Sequence, residues 1–88
     1  MKTEDSFESL KTLFETDLAE KIRVLETAIC DANWETIGRV SHQISGTAES
    51  FGYPDITDVA VELERSVGKR SLDYSADLVK RISELFVL

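Results

Sequence analysis

Three observations predict an all-α fold, an antiparallel up-and-down four-helix bundle. Apolar residues recur at steps of three and four through four separate stretches, the pattern of one buried face per helix. Among 88 residues there are one proline and four glycines, too little punctuation for a strand-rich fold. The polar connections between the stretches are short, and helices joined that way pack antiparallel. A short extra helix at the N-terminus is compatible with the same pattern.

The first stretch places Phe7, Leu10, Phe14, Leu18, Ile22, Leu25 and Ile29 on one buried face. Asp5 followed by Glu8 has the spacing of a capping box. Thr16-Asp17 offers a restart after a kink near Glu15, so one long helix and a short-plus-long pair both remain open. Cys30-Asp31-Ala32-Asn33 breaks the pattern, with Cys30 read as a small buried residue and Asn33 as the N-cap of a second helix from Trp34. That helix carries Trp34, Ile37, Ser41, Ile44, Ala48 and Phe51 on its inner stripe. It stops near Gly52, ahead of Pro54. A third helix then buries Ile56, Val59, Ala60, Leu63 and Val67. After the polar link Gly68-Lys69-Arg70-Ser71, Leu72, Leu78, Ile82 and Leu85 mark the fourth.

The length fits one domain over residues 1–88, and the opening Met1 with an early helix favours a stand-alone protein. Seventeen acidic residues against ten basic ones give a formal charge of −7, which repels nucleic acid and anionic lipid over most of the surface. No apolar run approaches the roughly 20 residues of a membrane-spanning helix, so no membrane insertion is expected. The single cysteine forms no internal disulfide and no apolar signal core opens the chain, from which a cytoplasmic location is expected. No metal constellation is recognisable. A monomer is expected.

The only histidine lies on the second helix. At about 100° per residue, His42 sits roughly 160° around that helix from Ile44 and therefore faces solvent. Gly38 and Gly46 flank it one turn before and one turn after, at a cost of about 1 kcal/mol each relative to alanine in a helix. Bare backbone beside an exposed imidazole suits close approach by another protein; Gly38 also suits close packing of helices. A neutral imidazole is a competent nucleophile near neutral pH without a buried base.

The string His42-Gln43-Ile44-Ser45-Gly46-Thr47-Ala48, with Phe51-Gly52 after it and Ile56, Ala60, Leu63 and Glu64 beyond, resembles the signature of histidine phosphotransfer domains. In that family the phosphoryl-accepting histidine is followed by any residue, an aliphatic one, lysine, glycine, a small residue and alanine, then an apolar-Gly pair and a helix ending in Leu-Glu. Asn33-Trp34 with Ile37 and Ser41 resembles the segment preceding the histidine. The likeness extends over roughly Leu10 to Leu85 and is sharpest from Trp34 to Glu64.

The resemblance implies a phosphocarrier of two-component phosphorelays. His42 would accept a phosphoryl group from a sensor or hybrid histidine kinase, or from a receiver-domain aspartate, and pass it to the receiver domain of a response regulator. Such a domain is no kinase, since no nucleotide-binding loop fits in the chain. It needs no cofactor of its own; Mg²⁺ belongs to the partner receiver domain. Gly38, Arg39, Gln43, Ser45 and Gly46 form the face expected to dock the partner or steady the phosphoryl group. Ser45 departs from the family pattern, standing where lysine is usual. Its hydroxyl brings a hydrogen bond without charge, and charge-assisted bonds are about twice as strong. Arg39 has two readings, as partial compensation for that lysine and as a surface partner of Glu35. A degenerate adaptor that binds a receiver or kinase without carrying phosphate is the alternative. A small enzyme using His42 as general base fits less well, because no set of pocket-forming polar residues accompanies the ring.

Overall fold

A computed structural model describes residues 3–87, with side-chain surroundings from residue 7 onward. Four helices follow one another, α1 (Thr3–Cys30), α2 (Trp34–Thr47), α3 (Pro54–Ser66) and α4 (Leu72–Val87), with 3-10 turns at Ala48–Phe51 and Val67–Lys69. Each helix packs on the next and α4 returns against α1. The antiparallel order can be followed by residue pairs. Phe14 of α1 stacks on Phe51 beyond the end of α2, while Ala28 and Asn33 share a cleft at the opposite end. Gly38 and His42 of α2 face Val67 and Glu64. Tyr53, just before α3, packs on Phe86 of α4, and Ser66 bonds Ser75 at the other end. The expected up-and-down four-helix bundle is the observed fold.

Leu18, Leu25, Ile37, Ile44, Ile56, Leu63 and Ile82 fill the core as its largest buried side chains. Val40 and Val79 are buried too, although neither belongs to the stripes read from the sequence. Three serines share this core, and each hydroxyl has a partner. Ser41 donates to the Ile37 carbonyl at 2.7 Å, Ser66 to the Leu63 carbonyl at 2.7 Å, and Ser75 meets Ser66 at 3.0 Å. Trp34 is only half-buried at the edge of the cluster, and Phe51 is half-buried against Phe14.

Several expectations are corrected at the ends of the helices. No separate N-terminal helix is present among the described residues; α1 is one continuous helix of 28 residues. It has already begun at Thr3, so Asp5 and Glu8 lie inside its first turns rather than capping it, where negative charge favours the positive end of the helix dipole. No restart occurs at Thr16, whose hydroxyl donates to its own helix at the Thr12 carbonyl. Phe7 and Leu10 are exposed at 47% and 55%. At 1.5 Å per residue α1 is about 42 Å long, and the helices it packs against are half that length. Its first turns therefore run past the shorter helices beside it, in a molecule that measures 48 × 21 × 20 Å. Leu72 is exposed at the start of α4, and Cys30 is exposed at the end of α1 rather than buried.

The link from α2 to α3 is tightly specified. Gly52 takes φ 93°, a left-handed conformation open to glycine at little cost, and its N–H closes the 3-10 turn on the carbonyls of Ala48 and Glu49. Pro54 occupies the first turn of α3, where its missing N–H costs nothing. The Tyr53 hydroxyl donates to Glu15 Oε2 at 2.7 Å and ties this link to α1. That hydrogen bond to a carboxylate, with some burial, holds the Tyr53 phenol above the usual tyrosine range.

Candidate phosphoryl-acceptor site

The site is built on α2, whose start is fixed by Asn33. Its Oδ1 accepts the Thr36 N–H at 3.2 Å, satisfying one donor that the helix leaves free. Ile37, Val40, Ser41 and Ile44 then turn inward. Because Ser41 and Ile44 are locked in the core, the residues between them, His42 and Gln43, are forced outward. The His42 side chain is 74% exposed.

The ring is not free-standing. Across the seam with α3, Glu64 places Oε1 3.3 Å and Oε2 3.1 Å from His42 Nδ1. Glu64 is aimed there because its neighbour Leu63 is fully buried and because α2 and α3 run antiparallel in a register that sets 42 beside 64. An ionised carboxylate can only accept, so Nδ1 carries the hydrogen and donates it. The lone pair is left on Nε2, the nitrogen farther from the backbone.

The other residues of the expected face are distributed around this ring. Gln43 and Gly46 are exposed, and a Cβ added at Gly46 would meet no atom within 4 Å. A Cβ at Gly38 would meet Val67 Cγ2 at 3.6 Å, so Gly38 stands against the end of α3 rather than in open solvent. Ser45 is half-buried, and its hydroxyl donates to the His42 carbonyl at 2.8 Å, back into its own helix. Arg39 is exposed and forms no ion pair with Glu35 among the described residues. Arg65, which follows Glu64, is drawn to Glu62 at 3.7 Å.

In the sequence Glu64 stands only as the end of the Leu63-Glu64 pair, with no sign of a role at the ring. The available signal was register: a tight turn at Gly52–Pro54 fixes which α3 residue faces His42. Among the described residues no group of three or more His, Cys, Asp or Glu side chains is placed to hold a metal. No helix there is long and apolar enough to cross a membrane. Clefts lie elsewhere, between α1 and α4 and beside the Gly52–Ile56 turn. The arrangement is an exposed imidazole held at Nδ1 by a carboxylate across the α2–α3 seam.

Residues 9–86 match the family model of the Hpt domain. No curated protein and no solved structure matches the chain.

Proposed function

Because the chain belongs to the Hpt domain family, whose role is phosphotransfer in two-component signalling, we propose that it carries a phosphoryl group on His42 Nε2 between receiver domains, or from a histidine kinase to a receiver. The observation that carries this reading is the His42–Glu64 pair, an exposed imidazole whose Nδ1 is occupied and whose Nε2 is left as the nucleophile.

Transfer needs in-line approach of the phosphorus to Nε2, and Gly46 and Gln43 border the surface over which a partner would come. The receiver brings the Mg²⁺ and the carboxylates that neutralise the equatorial oxygens; this chain supplies the acceptor and its orientation. Gly38 lies against Val67 with room for a methyl group, so its part in docking is to keep the surface beside His42 low. Arg39, unpaired with Glu35, is free to meet an acidic rim on the partner or a phosphoryl oxygen. Ser45 can exchange its bond to the His42 carbonyl for one to the phosphoryl group, without adding charge.

The position of Ser45 also favours a second reading, an adaptor that binds a receiver without accepting phosphate. Incubation with phosphorylated receiver domains in Mg²⁺ separates the two. A carrier takes up label on His42, and the His42→Gln variant takes up none. An adaptor binds the receivers and stays unlabelled.

A further inference from the structure

The seam across the bundle from His42 is left unfilled. Between α1 and α4, two clefts of about 400 and 230 Å³ meet at Glu26 and Ser83 and form one groove along the helices. Its floor is apolar, from Ile29 and Val79 at one end to Phe86 at the other, and the small side chains of Ala19, Ala76 and Ser83 keep it open. The α4 wall continues past both ends of the groove. Leu72, Ala76, Val79, Ser83 and Val87 follow at steps of three and four, and the outermost two, Leu72 and Val87, are 39% and 79% exposed.

We propose that this seam is the interface of a symmetric dimer, covered by the same seam of a second copy, in place of the monomer expected from the sequence. Charge selects that occupant. Four charged residues line the groove, two of each sign: Glu26 and Lys80 at one level, and Arg23 and Glu84 one turn further along, beside Ser83. Such balance is local in a chain of seventeen acidic and ten basic residues. Among the described residues Glu26, Lys80 and Glu84 form no ion pair, and Arg23 reaches only the exposed Glu20 of its own helix at 3.1 Å.

The two-fold axis runs along the bundle and lays α1 of each copy over α4 of the other, antiparallel. Rotation about that axis keeps every residue at its own level, so the register needs no adjustment. Glu26 of one copy meets Lys80 of the second, Arg23 meets Glu84, and symmetry repeats both pairs. Leu72 and Val87 are covered at the two ends. The face is about 24 Å long, the length of α4, and 21 Å across, which gives about 500 Å² per copy in projection and about 1,000 Å² in all. That is the low end for a specific interface, so the dimer is weak and reversible. His42 lies on the α2–α3 seam, and both imidazoles stay open in it.

Sedimentation velocity of the full chain from about 10 µM to about 1 mM tests the proposal, the range in which a small interface dissociates. The wild-type mass should rise from 9.9 kDa toward twice that value. Glu26→Lys and Lys80→Glu change exposed side chains, and circular dichroism checks that each variant keeps its fold. Each alone sets like charges against one another twice across the interface and should raise the dissociation constant at least about tenfold. Mixed in equal amounts, the two variants match opposite charges at both positions and should dimerise as wild type does. A wild type that stays at 9.9 kDa throughout overturns the proposal and leaves the groove to a different protein. Single variants that dimerise like wild type overturn it too, as does a mixture that stays monomeric.

Discussion

A single hydrogen bond across the α2–α3 seam gives the two nitrogens of His42 different tasks. Nδ1 is spent on Glu64 and Nε2 is presented to solvent. The exposure of the ring was legible in the sequence, since a residue roughly 160° from a buried isoleucine has nowhere else to point. Its partner was not, because 22 residues separate His42 from Glu64 and only the register of two packed helices joins them. Ser45 belongs to the same scale. Replacing it with lysine brings one positive charge to within a turn of the phosphoryl group, worth about 1 kcal/mol at a solvated site. Ser45→Lys should therefore lengthen the half-life of phospho-His42 roughly fivefold, a difference of about 1 kcal/mol. Equal lifetimes for the two proteins, measured by loss of radiolabel, would remove charge from the account of position 45.

At the scale of elements, periodicity identified every helix but not where each helix leaves the core. The stripe Phe7, Leu10, Phe14, Leu18 is continuous in sequence, yet Phe7 and Leu10 stay exposed, because the neighbouring helices are shorter than α1 and only the Phe51 ring extends to Phe7. Stability should divide at the same place. Leu25→Ala, within the bundle and fully buried, should cost about 2–5 kcal/mol, whereas Leu10→Ser on the overhang should change stability by less than about 0.5 kcal/mol. Denaturant unfolding of the two variants measures the contrast. The Tyr53–Glu15 bond adds a pH signature to the α1–α3 junction. The phenol is held above its ordinary range by that bond, so its contribution is fully present below the unfolded tyrosine value and is lost as pH rises through the raised, folded one. Tyr53→Phe should unfold with a flatter dependence on alkaline pH than wild type.

For the whole molecule, the bundle follows from four amphipathic stretches and short turns, and the family match over residues 9–86 agrees with it. The acidic balance of −7 keeps the surface unattractive to polyanions, while the site sets one imidazole among Gln43, Ser45 and Gly46 with the Glu64 carboxylate at its Nδ1. On the proposed reading the partner that covers His42 completes the chemistry, so no enclosed cleft is needed there. The most direct test of a carrier is therefore a chase. The protein is labelled from one phosphorylated receiver domain, freed of that donor, and mixed with a second, unlabelled receiver in Mg²⁺. Label should leave His42 Nε2 and appear on the aspartate of the second receiver, with His42→Gln silent throughout. Label that enters at any residue other than His42, or that enters His42 and cannot be passed on, would contradict the account.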